Sequence, residues 1–499
     1  MTAGDRTGRG SHRGDSDRIR QWQTGRAEDR RSSHGNGPRQ PDRIWVQEPF
    51  ENGRVLAWVA LEECEQDERF LQDILGELDS RHQLRSSERA QAVDIAAGVM
   101  RRRRTLDRLI ESRLTRPRSQ TEPELWQILR IGTFQLIFAR TPAHAAVDST
   151  VQLCRQLGRD RWTGFVNGIL RSVGRLLQDQ PGDGPQRSTL PGSDGNWIAL
   201  NEDIFPDPVT ERAAWFGDVY SVPSGLAARW VNRFRDDQLL RLGTWINAVP
   251  NTTLRINRLK ATRDQVREAM LASECQVTDG TNEHSLRLTN AARLEQLPGY
   301  REGWWSIQDE SAMAASELLA PQAGERILDM CAAPGGKTTH LAELSGDSAE
   351  IVACDIADGR LDRIRQNAAR LGLHSIQTVR IAKDGSDLPE GPFDAILLDV
   401  PCSNTGVLNR RPEARWRFSE SGMEELVVIQ TRLLIQAAER VRIGGRVIYS
   451  TCSLEPEENE GVVKTVLSVL KGYVLESQHQ HLSGNPADGA YQAKIVRTG

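Results

Sequence analysis

Ile327–Leu341, ILDMCAAPGGKTTHL, decides the fold of the C-terminal part of the chain. The apolar run Ile327–Met330 reads as a buried strand. It breaks at Pro334-Gly335-Gly336, and Lys337-Thr338-Thr339-His340-Leu341 reads as the start of a helix. A strand, a glycine turn and a helix start place a nucleotide-sized site at the carboxyl end of a parallel strand. The glycines let backbone N–H groups approach a ligand with no Cβ in the way. Outward from this stretch the order is regular: strand 326–330, helix, strand 351–355, helix 359–371, strand 376–381, strand 394–399, helix 423–441, strand 446–450. Such alternation predicts a parallel, doubly wound α/β sheet. Gln308-Asp309-Glu310-Ser311 is placed to cap the helix before its first strand.

Three nucleotide-site readings compete for the loop. A Walker A loop needs a glycine where Cys331 stands, and a dinucleotide fingerprint needs G-x-G-x-x-G where only two adjacent glycines occur. The third is an S-adenosylmethionine loop followed some twenty residues later by a ribose-binding acid, a position that Asp355, closing Ile351-Val352-Ala353-Cys354, fits. A plain strand-to-helix turn with no ligand remains open beside it.

Asp399-Val400-Pro401-Cys402-Ser403 closes the apolar strand Ala395–Leu398, and Tyr449-Ser450-Thr451-Cys452-Ser453 closes the next one. Two cysteines therefore arrive from two strands at the rim where α/β sheets bind ligands. A buried cysteine alone is usually inert packing. Two strand ends of this kind, each followed by serine and set beside a glycine loop, point to thiol chemistry. Carbon 5 of cytosine is a poor nucleophile. A thiolate adding at carbon 6 makes the ring an enamine, whose carbon 5 attacks a sulfonium methyl; a base then takes the carbon 5 proton and the thiol is expelled.

The rest of the composition sets bounds. At 499 residues the chain exceeds one ordinary core, and two to four domains are expected. Seven scattered cysteines with no C-x-x-C pair argue against a zinc ribbon or a disulfide framework and for reduced thiols. No long apolar run suggests a membrane span and the N-terminus lacks a signal-peptide core, so a soluble cytoplasmic protein without a metal is expected.

Residues 1–42, rich in Arg, Gly, Ser and Asp, are expected to form a disordered tail. Residues 43–180 carry helical spacing: Val55-Leu56, Phe70-Leu71, Ile74-Leu75, Ala92-Val93, Ile95-Ala96, then Leu125–Phe138, Ala145–Leu157 and Trp162–Leu177, an all-α bundle. Arg101-Arg102-Arg103-Arg104 is read as a solvated face or an RNA contact. Residues 181–200, with Pro, Gly, Asp and Ser, are read as a linker. Residues 201–304 predict helices, with Trp230, Val231 and Phe234 in the core, then the strand Thr252–Leu259, the helix Arg263–Ala272 and the strand Ser285–Leu288: a small α/β subdomain. Residues 305–499 form the glycine-loop domain.

Three signatures carry a family resemblance: DMCAAPGGKTTHLAE, DVPCSNTGVLNRRPEARW and YSTCSLEPEENE resemble the motifs of bacterial RNA cytosine-5 methyltransferases. In the bundle, Pro142–Asp148 (PAHAAVD) and Phe165–Arg171 (FVNGILR) resemble the NusB-like RNA-binding domain. Together they are similar to the 16S rRNA family that joins the two, the RsmB/Sun/Fmu group. The resemblance implies a Rossmann-like methyltransferase domain with S-adenosylmethionine as cofactor, 16S rRNA or a precursor of the small ribosomal subunit as partner, cytosine 967 as target, and a monomer.

Residue by residue, the resemblance implies that Cys331, Ala332, Ala333, Pro334, Gly335, Gly336 and Lys337 surround the methionine and ribose portions of the cofactor. It places Asp355 on the ribose hydroxyls, Asp384 at the adenine amino group, and Asp399 near the cofactor's amino group and the target base. It makes Cys452 the nucleophile and Cys402 the product-release thiol. DNA cytosine-5 methyltransferases use the Pro-Cys thiol instead, so this assignment follows from family and not from spacing. Lys337 can equally satisfy a helix end, and Asp384 can be a turn residue. Arg410, Arg411, Arg415 and Trp416 are read as an RNA-phosphate and base-stacking stretch or as a solvated loop. Glu455, Glu457, Glu458 and Glu460 are read as a helix start with no chemistry. Asp488–Lys494 departs from the family's aromatic pattern, which puts the packing of the last strand in doubt. Two other readings stay open: a cytosine-5 methyltransferase acting on tRNA or another site, and a NusB-like binding protein with an inactive methyltransferase half.

Overall fold

A computed structural model describes residues 52–67, 69–139, 141–193, 195–289, 294–484 and 487–499. The tail expected over residues 1–42 lies outside them. The helical half begins with α1 (Gly53–Gln66), α2 (Leu71–His82), α3 (Ser86–Glu111), α4 (Pro123–Ile137), α5 (Ala143–Gln156) and α6 (Thr163–Gly174). Asn52 caps α1 by accepting the Arg54 N–H at 2.8 Å. Inside the bundle the buried Arg130 on α4 is held by Asp107 on α3 and by Glu65 on α1. Trp126 adds its indole N–H to the same aspartate at 2.7 Å, so this buried charge is fully partnered.

The arginine run on α3 is neither a solvated face nor an RNA contact. Arg101 and Arg102 are buried. Arg101 donates to the Asn409 carbonyl at 3.0 Å, Arg104 pairs with Asp218, and Arg103 pairs with Glu65 and lies over the Trp416 ring. The guanidinium groups bind the bundle to the rest of the chain because their stems can be buried while each head finds an oxygen.

The stretch read as a linker is a sheet. Strands β1 (Leu177–Gly182), β2 (Thr189–Pro191) and β3 (Trp197–Leu200) pair antiparallel in the order β1-β3-β2. Leu190 and Leu200 are buried in a cluster with Leu109, Leu176, Trp215, Trp230, Leu408 and Leu454. That one cluster crosses the boundaries drawn from sequence at 180/181, 200/201 and 304/305. It packs around α7 (Arg212–Tyr220), α8 (Ser224–Arg233) and α9 (Asp236–Asn247). Trp230 and Phe234 are buried as expected, and Val231 is partly so.

The small α/β unit holds β4 (Thr252–Ile256), α10 (Arg263–Ala272), β5 (Gln276–Asp279), β6 (Ser285–Thr289) and β7 (Trp305–Ile307), with sheet order β5-β6-β4-β7. Then follow α11 (Glu310–Leu319), β8 (Arg326–Asp329), α12 (Gly336–Leu344), β9 (Glu350–Asp355), α13 (Asp358–Leu371), β10 (Ile376–Arg380), β11 (Phe393–Asp399), α14 (Ala414–Arg417), α15 (Glu420–Arg440), β12 (Val441–Thr451), α16 (Val462–Val469), β13 (Tyr473–His481) and β14 (Ala490–Arg497). Asp309 caps α11 through the Ser311 N–H.

These seven strands form one sheet, ordered β10-β9-β8-β11-β12-β14-β13. It is mixed, not wholly parallel: β14 runs antiparallel between β12 and β13. The doubt over the last strand is removed as well, since Tyr491, Ala493 and Ile495 are buried on it. Asp488, just before it, is buried against Arg410. The inner strands β8, β9 and β11 are apolar on both faces, as a sheet covered by helices requires. Their carboxyl ends share one rim. Among the described residues no helix is long and apolar enough to cross a membrane.

Candidate active site

The loop after β8 is shaped by Gly335, which takes φ +98°. A Cβ there would stand 3.1 Å from Cγ1 and 3.3 Å from Cα of Ile364 on α13. Only glycine gives both this left-handed backbone and this approach. Ala332 donates its N–H to the Cys354 carbonyl at 2.9 Å, and Ala333 donates to Asp355 Oδ2 at 3.3 Å. Asp355 is buried at the end of β9, with Arg360 at 3.4 Å. Pro334 is exposed at the tip, and Cys331 packs against the core of the sheet, where burial pushes its thiol up.

Beneath the loop, Asp329 accepts the Thr338 hydroxyl at 2.7 Å on Oδ2, while its buried Oδ1 has no hydrogen-bond partner. Burial pushes its carboxyl up to about 7, against the lowering hydrogen bond from Thr338. Lys337 reaches across to Asp399 at 2.7 Å. Burial pulls the ammonium down, but the Asp399 carboxylate outweighs it and the net shift is upward. The start of α12 is held from outside its own domain. Arg255 on β4, fully buried, donates to the Gly336 carbonyl at 2.6 Å, to Thr339 Oγ1 at 3.1 Å and to both oxygens of Glu343.

The two cysteines meet. Strands β11 and β12 pair in parallel with Asp399 opposite Ser450, so the segments that follow leave side by side. Cys402 Sγ lies 3.2 Å from Cys452 Sγ. Gly406 makes the approach possible: a Cβ there would stand 2.8 Å from the Cys452 carbonyl and 2.3 Å from that of Gly489. The hydrogen bond from the Cys402 thiol lowers the Cys452 thiol below its ordinary value. Burial and Asp399 oppose this, while Arg411 and Lys337 add to it. The same bond, with burial, raises Cys402 well above. Cys452 also contacts Asn404 Oδ1 at 3.3 Å, and Arg411 donates to that oxygen at 3.0 Å.

Of the residues picked out from sequence, the rim thus gathers Cys452, Cys402, Asp399 and Lys337, with Asp355 and Ala333 joined at the neighbouring strand end. Asp384 lies in an exposed loop four residues beyond β10, whose last residue, Arg380, pairs with Asp355; there the Ser386 N–H and hydroxyl bind its carboxylate at 3.1 and 2.8 Å and hold it below the usual range. Of the arginine stretch, only Arg411 stays exposed at the site, stacked over Phe70. Arg410 is tied to Asp488 and Asp309. Arg415 is buried among backbone carbonyls, and Trp416 donates to the Met100 carbonyl. These three are structural because their partners are oxygens of distant segments. Sequence reasoning gave no role to Asp329, Asn404, Arg255 or Glu458, whose carboxylate accepts the Ser403 N–H at 2.8 Å and the Ser453 hydroxyl at 2.5 Å. An aspartate ending the strand and an asparagine following the Pro-Cys-Ser segment were the available signals for the first two; for Glu458 it was its place just after Thr-Cys-Ser.

Residues 316–490 match the family model described as 16S rRNA methyltransferase RsmB/F, and residues 51–175 match the NusB family. The probable ribosomal RNA small subunit methyltransferase B of Synechocystis sp. is 34% identical over 83% of this chain and 89% of its own length. The ribosomal RNA small subunit methyltransferase B of Salmonella paratyphi B is 31% identical over 89% of this chain and 99% of its own. The chain belongs to the ribosomal RNA small subunit methyltransferase B family. Membership makes it an S-adenosylmethionine-dependent RNA methyltransferase with a NusB domain in front. Among solved structures, PH0851 is similar in fold over 91% of this chain and 100% of its own, with a TM-score of 0.71 at 22% identity. NSun6 from Pyrococcus horikoshii, solved with SFG, is similar over 56% of this chain and 98% of its own, with a TM-score of 0.51 at 21% identity.

Proposed function

We propose that the chain methylates carbon 5 of a cytosine in 16S rRNA, the family target cytosine 967, through a transient bond between Cys452 and carbon 6. The observation that carries this reading is the pair of sulfurs 3.2 Å apart at the ends of neighbouring strands, beside the Lys337–Asp399 pair of the glycine loop.

The loop fits the cofactor. Gly335 lets the loop close against α13, the buried Asp329 Oδ1 lacks a partner, and the Asp355 carboxylate closes the far side. Residues Cys331–Lys337, Asp355 and Asp399 would hold it, with Asp384 serving the adenine end. When bound, S-adenosylmethionine supplies a methyl group on a sulfonium centre to carbon 5.

The chain's own part is acid–base and nucleophilic. Cys452, lowered by the Cys402 thiol and by Arg411 and Lys337, attacks carbon 6 as thiolate. Asp399, held by Lys337, faces the base as it enters. After methyl transfer the carbon 5 proton is removed by a base, and the electrons of that C–H bond re-form the ring double bond as the carbon 6–sulfur bond breaks. Cys402, which keeps its proton, donates a hydrogen bond to the departing Cys452 thiolate. A base stacked in its helix cannot reach this rim, so the target nucleotide must be flipped or unpaired.

The test is incubation of full-length protein with unmethylated 30S RNA and methyl-labelled S-adenosylmethionine. Wild type labels carbon 5, with bisulfite sequencing reporting position 967. Cys452→Ala gives no label. Cys402→Ala accumulates an RNA–protein adduct on a denaturing gel. Methylation by Cys452→Ala would move the nucleophile to Cys402, and label on tRNA alone would overturn the substrate.

A further inference from the structure

Four glutamates follow Cys452 closely, and three of them sit in ordinary surroundings. Glu455 pairs with Arg229 and the Trp230 indole, Glu457 pairs with Arg229, and Glu460 is partly exposed. Glu458 differs. It has no exposed surface and, among the described residues, no lysine or arginine within ion-pairing distance. Its four acceptor positions are taken instead by neutral donors. Oε1 accepts the Ser403 N–H at 2.8 Å and the Gln430 amide at 3.0 Å. Oε2 accepts the Ser453 hydroxyl at 2.5 Å and the Ser403 hydroxyl in a short contact. Ser403 follows Cys402 and Ser453 follows Cys452, so one carboxylate grips both thiol-bearing loops one residue from each sulfur.

We propose that Glu458 is a positioning residue: its carboxylate clamps the two cysteine loops at bonding distance and assigns the nucleophile's part to Cys452, leaving the proton on Cys402. This rests on the covalent reading of the pair given above. The argument is electrostatic as well as geometric. The groups around Glu458 are the Gln430 amide from α15, the Tyr449 hydroxyl from β12, which donates to its carbonyl at 2.6 Å, Asn459 beside it, and the Cys402 thiol across the loop. None carries positive charge, so its negative charge acts on Cys402 unscreened by a counter-ion. On the other side of the sulfur pair stand Lys337 and Arg411, with Asp399 partly offsetting them. An anion beside one sulfur, and two cations set against the single anion Asp399 beside the other, favour the proton on Cys402 and the thiolate on Cys452. A clamp with no electrostatic part would hold the loops without choosing between the sulfurs.

The experiment is site-resolved alkylation of the full chain with iodoacetamide from pH 6 to 9, each cysteine quantified by peptide mass spectrometry. Wild type is expected to modify Cys452 faster than Cys402. Glu458→Gln keeps the shape and removes the charge, and the Cys452:Cys402 ratio is expected to fall about tenfold or more, the equivalent of one pKa unit. Glu458→Asp keeps the charge on a shorter arm; it should retain the preference while lowering kcat for methyl transfer. A folded Glu458→Gln protein with the wild-type ratio would overturn the proposal and leave the covalent reading intact. Should Glu458→Gln not fold, loss of the preference in Glu458→Asp would overturn it. A wild-type protein that favours Cys402 would overturn both.

Discussion

Replacing Arg255 with methionine is the sharpest test of how the cofactor loop is held. The side chain is fully buried on β4, outside the glycine-loop domain, and its partner Glu343 on α12 is 3% exposed at the side chain. The guanidinium makes two bonds to that carboxylate, at 3.0 and 2.7 Å, and further bonds to Gly336, Thr339 and Gln308. Methionine fills much of the volume but leaves Glu343 as a buried, unpaired charge. Breaking a buried pair from one side costs about 3–5 kcal/mol, a large part of the roughly 5–15 kcal/mol that holds a domain folded. Burial already raises the Glu343 carboxyl, with Arg255 pulling it back down. A carboxyl raised in the folded state is tolerated below its unfolded value and costs stability as pH rises through its folded value. The Arg255→Met deficit should therefore be largest near neutrality and narrow toward pH 5. The double variant Arg255→Met/Glu343→Leu removes the stranded charge and should recover stability to within about 1 kcal/mol of wild type. It does not restore the bond to the Gly336 carbonyl, so its affinity for S-adenosylmethionine should stay about tenfold weak, about 1.4 kcal/mol. Urea unfolding at several pH values and calorimetric titration with the cofactor read the two effects separately. An Arg255→Met protein within 1 kcal/mol of wild type, or a double variant no better than the single, would refute the reasoning.

Gly335→Ala forces a left-handed backbone on a residue with a Cβ and drives that atom against Ile364, so it should cost about 1–3 kcal/mol of stability and weaken cofactor binding in the same titration. Asp329→Asn removes an acid raised to about 7 by burial; its gain over wild type should be small near pH 4, grow through pH 5–7 and level off above at up to about 4 kcal/mol, read from melting temperatures across that range. Leu190→Ala, in the segment with a linker's composition, should cost about 2–5 kcal/mol in urea unfolding, because the side chain is fully buried; a true linker would lose nothing.

The strand, turn and helix around Gly335 were legible because each is written locally: an apolar run, a break, a glycine at the one position that requires it. The two cysteine loops were legible for the same reason. What escaped the sequence depends on partners far along the chain. Residues 181–200 have a linker's composition, yet Leu190 shares a buried cluster with Trp215 and Leu109, which local composition does not reveal. Arg101 and Arg415 carry the signature of a basic surface, but the oxygens that bury them come from residues such as Asn409 and Ile246. Gly168 in FVNGILR shows the converse. Glycine is costly inside a helix and suggests a tight helix crossing, but a Cβ at that position would meet open space, so no such crossing explains it. Glu458 was invisible because four clustered glutamates look alike until one of them is found turned inward.

The apolar cluster that starts at Leu109 in the bundle ends at Leu454, two residues beyond Cys452. The distance between the helical half and the Cys452 sulfur is thus fixed by packed side chains and not by a tether. A tethered pair of modules samples a wide radius; on the proposed function, with the RNA held by the helical half, the packed pair would act as a caliper, and a nucleotide lying a few ångströms outside its span should go unmodified however firmly the rest of the RNA is held.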